Sequence, residues 1–518
     1  MKKVFYTMLA TLLLLVACDN QQAQSSAEQI DHKNVEQQQS LVVVTPWEIT
    51  STDPSKSGYI FQRLQLAETL VEVEDNGRLV AGLATDWQHN DDASVWIFNL
   101  RPNVKFHDGS LLTADEVVTS LQVALTKPTA LRSALIEEIK ALNPLQVQIT
   151  LKQGLVFFPA YLAHSTAIIL AKSAFDAEQN IQQIVGTGPY QVVKIEPPQK
   201  IEQVAFKDYW GEPANIERVD YLANSRSETR TLLAQSQPNY LVFNLDAASV
   251  HRLQQDSNLA VQTKSIARTI QYKVNVANPL FADVRVRRAL SDAIDRQGIA
   301  QSVLRIQQGE AEQIFPPAFA DWRLEVAQQQ PNYAEIQQRL LELGFQRNAQ
   351  GELEMAGKPV KFTLRTFSDR PELPLIATAL QDQWKQLGIT VEVAIGNFSE
   401  IPAGHQDGSL EMALFARNYG MIPDPTASLL TDFAPEGSDW GVMNWQNVTL
   451  TQALQQLQIT FEPSQQRDLK QQIAQIIYTE RPITPIVFYQ QNVASHKSLK
   501  GLELDPFERS FRLNKLSW

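Results

Sequence analysis

The chain has 518 residues, of which 44% are apolar, 8% aromatic and 20% charged. That length exceeds what one hydrophobic core can organise, so we expect roughly two to four domains of about 150 residues each. The composition excludes a disordered chain and a collagen-like or coiled-coil fibre. A net charge of −12 argues against a nucleic-acid-binding surface, and a single cysteine excludes an intrachain disulfide and a cysteine-based zinc site.

The first 40 residues have the pattern of an export and anchoring segment. Two lysines precede the apolar run 4–17, which at 14 residues is shorter than the roughly 20 residues of a membrane span. The run ends in Leu15-Val16-Ala17-Cys18, which resembles the lipobox of bacterial lipoproteins, where the cysteine is lipidated. We therefore expect a signal peptide over 1–17, a lipid anchor at Cys18 and a flexible tether over 18–40. The alternative is an ordinary signal peptide with a chance cysteine.

Strands and helices alternate along the rest of the chain. β-Branched or alternating apolar runs predict strands at 41–45, 95–101, 389–393 and 486–488. Helix signals are the capping-box pattern of Thr113 and Glu116, the cap Asp283, Pro331 with Gly344, Gly388, and the helical stretch 448–480. Arg288 and Asp292 have the spacing of a surface ion pair on the helix after Asp283. The order of helix, glycine and strand predicts an α/β architecture in both halves of the chain.

No catalytic motif is visible. No two of the seven histidines lie within five residues of each other, and no Gly-x-Ser-x-Gly motif occurs. The segment 351–358 has one residue too many for a phosphate-binding loop, so we interpret it as a hairpin. We expect no cofactor and no resident metal ion. A dispersed Ser/His/Asp site or a carboxylate pair stays open, because spatial neighbours cannot be seen in a sequence.

Several short motifs occur in the order, and near the spacing, of one protein family. They lie at 77–87, 96–118, 186–190 (Gly-Thr-Gly-Pro-Tyr), 209–211 (Tyr-Trp-Gly), 283–295, 315–317 and 424–425. Together they resemble the family 5 solute-binding proteins of ABC importers, the peptide and nickel binding family, over about residues 41–518. The resemblance implies an α/β, two-lobed periplasmic-binding-protein fold of class II, the large peptide-binding type, with three structural domains. It implies domain I at 41–70, 183–270 and 485–518, domain II at 71–182, and domain III, the second lobe, at 271–484.

The same resemblance implies a pocket between the lobes, lined by the segment before Asp424-Pro425. The candidate substrate-binding residues are Tyr59, Arg132, Arg417, Asn418, Tyr419 and Trp440. Arg417 and Asn418 are suited to binding carboxylates, and Tyr419 stands about where nickel-complex binders carry an aromatic residue that stacks on the ligand. Alternatively, Arg417 forms an ion pair at the lobe surface.

Two departures from the family patterns leave the solute open. Peptide-binding members carry an acidic residue shortly before the Asp-Pro pair for the ligand's α-ammonium group, and this chain has none there. The nickel branch has an arginine where this chain reads His164-Ser165-Thr166. Neither pattern is reproduced whole.

The resemblance implies a binding protein without catalytic activity. We expect a monomeric substrate-binding lipoprotein that captures a short peptide, or a peptide-like or metal-chelate solute, and delivers it to the membrane permease of an ABC transporter. Its expected place is the periplasmic face of the inner membrane, or the outer face of the cell membrane in a Gram-positive cell. The alternatives are a nickel- or opine-type metal-complex binder, and an enzyme or sensory lipoprotein on the same scaffold.

Overall fold

The computed structural model describes residues 40–368, 370, 372–434 and 438–518. The predicted signal peptide, the predicted lipid anchor Cys18 and all of the predicted tether except its last residue lie outside these residues. Among the described residues, no helix combines the length and apolar character needed to cross a membrane.

The strands are β1 (Ser40–Thr45), β2 (Val71–Val73), β3 (Leu79–Ala81), β4 (Ala84–His89), β5 (Val95–Leu100), β6 (Ile136–Asn143), β7 (Gln146–Leu151), β8 (Tyr190–Glu196), β9 (Lys200–Ala205), β10 (Arg218–Ala223), β11 (Tyr240–Phe243), β12 (Leu259–Val274), β13 (Gln346–Arg347), β14 (Leu353–Met355), β15 (Lys358–Pro359), β16 (Lys361–Phe367), β17 (Thr390–Gly396), β18 (Met412–Asn418) and β19 (Ile483–His496). The helices are α1 (Pro54–Arg63), α2 (Ala114–Thr126), α3 (Phe158–Tyr161), α4 (Ser227–Ser236), α5 (Ala247–Gln254), α6 (Pro279–Ala282), α7 (Val284–Asp292), α8 (Arg296–Gly298), α9 (Tyr333–Glu342), α10 (Glu372–Lys385), α11 (Glu400–Gln406), α12 (Pro425–Asp432), α13 (Val448–Ile459) and α14 (Pro463–Glu480). This mixture confirms the predicted α/β class.

One ten-stranded mixed sheet forms the backbone of the fold, in the order β17-β16-β18-β12-β19-β11-β1-β10-β9-β8. Its centre is the antiparallel pair of β12 and β19, which have 16 and 14 residues. β19 pairs with β11 on one side, and β12 pairs with β18 on the other. The sheet therefore has a first half (β1 and β8–β11) and a second half (β16–β18), joined through β12 and β19.

The second half of the sheet packs on a core built around Trp384 of α10. This side chain is fully buried, and its ring meets the rings of Tyr272 and Phe362 edge to face, with centroids 5.6 and 5.7 Å away. Its indole Nε1 donates a hydrogen bond to Leu290 O of α7 at 2.9 Å. The polar end of this large ring is thus satisfied inside the core, as burial of an indole requires.

A separate four-stranded antiparallel sheet, β4-β5-β7-β6, is formed by the part of the chain between α1 and β8. Buried and partly buried residues alternate along β5 and β7, which directs Trp96 and Phe98 of β5 into a core. This alternation is typical of a sheet with one covered face. Trp96 accordingly has a core role. The predicted domain boundaries stay a prediction.

The predicted helix caps are confirmed in part. Asp283 Oδ1 accepts a hydrogen bond from Arg285 N at 2.8 Å, so it caps α7 as expected. Thr113 Oγ1 accepts from Glu116 N at 3.4 Å, but the Glu116 carboxylate accepts from Lys172 N at 2.7 Å instead of completing the capping box. A tertiary contact therefore replaces the local one.

Three further expectations have different outcomes. The segment 351–358 is a hairpin, with Met355 paired to Lys358, as predicted. The helical stretch 448–480 is divided, because Pro463 starts a second helix, α14, after the break that follows α13. The predicted Arg288–Asp292 pair is wrong, since Arg288 donates to Thr479 O while Asp292 pairs with Arg339 at 2.9 Å.

A buried carboxylate connects the Gly-Thr-Gly-Pro-Tyr and Tyr-Trp-Gly motifs. Glu68 accepts hydrogen bonds from Thr187 Oγ1 at 2.7 Å, Tyr209 Oη at 2.8 Å and Trp210 Nε1 at 2.8 Å. Burial raises the pKa of Glu68 from 4.5 to about 7, against the opposing effect of these three hydrogen bonds. The two motifs thus have a scaffold role, in which Thr187, Tyr209 and Trp210 bind one buried carboxylate.

Substitution of Glu68 by glutamine is expected to change the pH dependence of stability. Because the pKa of Glu68 is higher in the folded state than its ordinary value, its contribution is fully present below pH 4.5 and is lost as the pH rises through about 7. The wild-type free energy of unfolding should lose up to about 3 kcal/mol through this group over that range, and the Glu68→Gln variant should not. Urea unfolding at pH 5 and pH 8 measures the difference. Exposed Glu137→Gln is the control; parallel pH profiles for wild type and Glu68→Gln would contradict the prediction.

Candidate functional site

The parallel strands in the two halves of the large sheet have their carboxyl ends close together. β1, β10 and β11 run parallel to one another, and so do β16, β17 and β18. β11 ends at Phe243, opposite Val493 of β19, and β18 ends at Asn418, opposite Arg268 of β12. Between these points the pairing of β12 with β19 shifts register, between Ser265 and Thr269. The carboxyl ends of both parallel sets therefore meet at this irregularity, and such ends are where α/β proteins place ligand sites.

A buried ion cluster lies at this meeting point. Arg268 Nη2 lies 3.0 Å from Glu508 Oε2, and Arg63 Nη2 at the end of α1 lies 3.6 Å from Glu508 Oε1. The Glu508 side chain is 2% exposed, yet neither of its oxygens has a hydrogen-bond partner of good geometry, and Arg63 Nη1 also has none. Arg63 Nε instead donates to the backbone oxygen of Glu508 at 2.5 Å. The cluster thus keeps unused hydrogen-bonding capacity.

Aromatic rings cover the Arg63 guanidinium. Its Cζ lies 4.3 Å from the ring centroid of Trp47, which follows β1, and 5.3 Å from that of Tyr59 in α1. The two rings meet edge to face with centroids 6.4 Å apart. Stacking of this kind stabilises a guanidinium while its N–H edge stays available to an acceptor. Tyr59, predicted from sequence, therefore belongs to this cluster.

Tyr489 of β19 lies beneath two more guanidiniums. The Cζ atoms of Arg268 and Arg370 lie 5.3 and 5.6 Å from its ring centroid. Burial raises the pKa of Tyr489 to about 12, and the charge of Glu372 adds to the rise. Burial lowers the pKa of Arg268, which Glu508 partly opposes. We call the following residues the arginine cluster: Trp47, Tyr59, Arg63, Arg268, Arg370, Tyr489 and Glu508.

The charges of the cluster favour an anion. Three guanidiniums face two carboxylates, those of Glu508 and Glu372, and the described residues include no ion pair for Arg370. Guanidinium groups have a fork of donors that matches a carboxylate. An arginine stays protonated, so these groups bind and orient an anion but cannot act as general bases.

The three candidates at the end of β18 have internal partners. Arg417 donates to both carboxylate oxygens of Asp432, at 2.6 and 2.8 Å, and that carboxylate is fully buried. Asn418 Oδ1 accepts from Gly420 N at 2.7 Å. The Tyr419 ring is 0% exposed and its hydroxyl donates to Gln271 Oε1 at 3.0 Å. Arg417 thus forms an internal ion pair and not the lobe-surface pair of the alternative interpretation, and the Tyr419 ring has no surface to stack on a ligand in this conformation.

The remaining candidates divide between two places. The Trp440 ring lies 5.5 Å from that of Phe415 and 6.3 Å from that of Phe367, the last residue of β16. Trp440 therefore lies near the carboxyl end of β16, which Arg370 follows closely in the chain. Arg132 is exposed in a 3-10 turn at Ala130–Ala134, outside the elements that carry the arginine cluster.

Sequence reasoning did not identify most of the arginine cluster. Its members come from the segment after β1, from α1, β12 and β19, from the segment before α10 and from the C-terminal segment. The one local signal was Arg268, a charged residue that directly follows the apolar Ile266 and Ala267. The pairing of β12 with β18 and β19 is needed to place Arg268 where the strand ends meet.

Comparison with known proteins identifies the family. A model of the bacterial extracellular solute-binding proteins, family 5 Middle, matches residues 78–440. The chain belongs to this family. The nickel-binding protein NikA of Staphylococcus aureus is 26% identical over 451 residues, which are 86% of this chain and 87% of that protein. The oligopeptide-binding protein AppA of Bacillus subtilis is 24% identical over 545 residues, 99% of this chain and 98% of that protein.

Solved structures agree with this family 5 assignment. The crystal structure of a nickel ABC transporter protein from Bacillus halodurans superimposes with a TM-score of 0.80 at 25% identity, covering 92% of this chain and 99% of that one. The predicted two-lobed solute-binding fold is therefore confirmed. In the described part of this family 5 protein, no three His, Cys, Asp or Glu residues converge as a metal site.

Away from the arginine cluster, the unit with the four-stranded sheet contacts helix α13 and the residues that follow it. Val156 N, which follows β7, donates a hydrogen bond to Gln458 O of α13 at 2.8 Å. Beside it, the His89 ring of β4 stacks on Phe461 with centroids 4.8 Å apart. The unit with the four-stranded sheet thus touches the helices that follow the second half of the large sheet.

Proposed function

We propose that this chain is the solute-binding component of an ABC importer, and that it captures a carboxylate-bearing short peptide, or a peptide-like or metal-chelate solute, between its lobes. The observation that carries the proposal is the arginine cluster, where Arg63, Arg268 and Arg370 outnumber the carboxylates. The names of the relatives, nickel-binding and oligopeptide-binding proteins, agree with both solute classes.

The position of the cluster supports capture by closure. Arg63 belongs to the first half of the fold, Arg370 precedes α10 in the second, and Arg268 lies in the strand that joins them. A carboxylate bound by guanidiniums from both halves stabilises the closed arrangement over the open one, and the permease then receives the closed form. Trp440 and Tyr59 are the proposed apolar walls. The solute is proposed to be bound and released unchanged, because the three arginines stay protonated and the family is one of solute-binding proteins.

Isothermal titration tests the solute class. The series contains dipeptides to pentapeptides, their C-terminal amides, and nickel complexes of L-histidine. We expect binding heat from a free-carboxylate peptide or from a carboxylate-bearing chelate. The matched amide should bind with at least tenfold lower affinity. Heat from sugars alone, or from no member of the series, would contradict the proposal.

We also propose that residues 1–17 are removed and that the lipid on Cys18 attaches a monomer to the outer side of the cytoplasmic membrane. Replacement of Cys18 by serine should then move most of the protein from the membrane fraction to the soluble extracytoplasmic fraction. Ser26→Ala, in the same tether, should stay with the membrane. Equal fractionation of the two variants would exclude a lipid anchor at Cys18.

A further inference from the structure

A buried lysine and a histidine share a contact beneath the Trp440 wall. Lys273 lies in β12 and is 0% exposed. Its Nζ lies 2.7 Å from Nδ1 of His405 in α11, and it donates a hydrogen bond to Asp439 O at 2.7 Å. The ion pairs of the described residues include none for Lys273, although a buried ammonium group is costly without a paired charge.

The short distance between the two nitrogens restricts their protonation. A separation of 2.7 Å requires one hydrogen between Nζ and Nδ1, so one nitrogen donates and the other accepts. An ammonium and an imidazolium protonated at Nδ1 would both direct hydrogens, and like charges, at each other. The Lys273–His405 pair therefore accommodates one positive charge but not two.

Three charged residues surround the pair. Asp432 at the end of α12 and Asp439 favour the charged amine, and Arg417 of β18 disfavours it. Asp432 is already bound by both nitrogens of the Arg417 fork and by Ser438 Oγ at 2.8 Å. Across the pairing with β19, Lys273 meets Ile483, which adds no charge.

The pair is bound to the short segment that carries Trp440. Lys273 binds the backbone oxygen of Asp439, and Gln406, next to His405, donates to Asp439 Oδ1 at 3.0 Å. Gly441 N donates to Ser438 O, and Val442 N donates to Asp432 O at 2.8 Å. The Trp440 backbone thus lies between two fixed points, one of which is the lysine.

We infer that Lys273 and His405 are positioning residues that make the placement of the Trp440 wall depend on pH. The wall is held most firmly when the pair carries one positive charge, which we call its singly protonated state. The consequence for solute binding rests on the proposed function; the placement itself does not. A change of pH on either side of the singly protonated range weakens the contact with Asp439, either by loss of the ammonium charge or by repulsion between two cations.

The direction of both titrations agrees with this geometry. Burial lowers the pKa of Lys273 from 10.5 to about 7, and burial together with Lys273 lowers the pKa of His405 from 6.5. The singly protonated range therefore extends from below pH 6.5 up to about pH 7. We call the loss of hold on the wall above this range the alkaline limb and the loss below it the acidic limb. The alkaline limb therefore begins near neutral pH.

Hydrogen–deuterium exchange of the full chain without solute tests the inference. The reporter is a peptide covering 438–445, which contains the hydrogen-bonded amides of Gly441 and Val442. After correction for intrinsic exchange, we expect protection in the singly protonated range to exceed that at pH 9 by about tenfold, the effect of losing a hydrogen bond to a charged group. Protection should fall again at acidic pH.

Variants separate the pair from general structural effects. Lys273→Met should remove both limbs of the profile, and His405→Gln, which keeps an acceptor for the amine, should remove only the acidic limb. Exposed Lys385→Met should keep the wild-type profile. A wild-type profile in Lys273→Met, or an unchanged acidic limb in His405→Gln if the first variant fails to fold, would overturn the inference. Peptide titrations that give no heat would affect the proposed function and leave this result standing.

Discussion

Replacement of Arg268 by methionine is expected to weaken solute binding by roughly 30-fold to 1,000-fold, or about 2–4 kcal/mol. The Arg268 side chain is 13% exposed and lies at the register shift of β12, where both sets of strand ends meet, 3.0 Å from Glu508. The variant loses the positive group and leaves the buried carboxylate with Arg63 alone. An incoming carboxylate would then meet a site with no excess positive charge. Isothermal titration with the peptide or chelate found in the series gives the dissociation constant.

Arg285→Met is the matched control for this experiment. Arg285 is exposed at the start of α7, and its guanidinium pairs with Asp283 of the same helix. Its removal changes the net charge by the same amount but touches no residue of the arginine cluster, so the affinity should stay within about twofold of wild type. If both variants bind with the wild-type affinity, and circular dichroism shows both folded, the arginine cluster is not the solute site.

Replacement of Arg417 by methionine is expected to lower the free energy of unfolding by about 3–5 kcal/mol. The carboxylate of Asp432 is fully buried, and it would then keep only the Ser438 hydroxyl as a partner of good geometry. Removing one member of a buried pair leaves an uncompensated charge, which is why this cost exceeds that of a surface ion pair. Urea unfolding measures the loss.

Two further variants complete the test. Arg417→Met combined with Asp432→Leu should recover most of the lost stability, because an apolar pair of similar size needs no compensation. Arg365→Met breaks the partly exposed pair with Glu400, 2.9 Å long, and should cost less than about 1 kcal/mol. A loss below 1 kcal/mol for Arg417→Met, accompanied by weaker solute binding, would instead assign Arg417 to the ligand.

Local patterns were sufficient for several elements of the fold. The α7 helix and its cap Asp283 follow from the spacing of apolar residues and from a side chain that can accept from the first turn. The division of 448–480 into two helices was missed although Pro463 marks it, because the apolar pattern continues on both sides of the break. The partner of Glu116 could not be predicted, since Lys172 is distant in sequence.

The sequence indicated single residues of the site, but it did not indicate which distant residues converge there. Tyr59 contacts Arg63 of the arginine cluster, and Trp440 packs against Phe367 at the end of β16; that either residue contacts the solute stays a prediction. Tyr419 follows β18 in an irregular segment, where no alternation indicates which way a side chain points, and its ring packs inside instead. Arg63, Arg268 and Glu508 are separated by long stretches of chain, so their convergence is a property of the strand order and not of any local pattern.

The central position of β12 and β19 has a consequence for how the chain folds. The polypeptide enters the second half along β12 and returns along β19, and Lys273 pairs with Ile483 across the two strands. The intervening stretch thus begins and ends at one point. Closing so long a loop costs conformational entropy that grows only with the logarithm of its length, and the cost falls further if the stretch has already folded with its ends adjacent. We therefore expect the second half to acquire its structure as a continuous insertion, and the pairing of β12 with β19, a contact of high sequence separation, to be the late and slow step that unites the molecule.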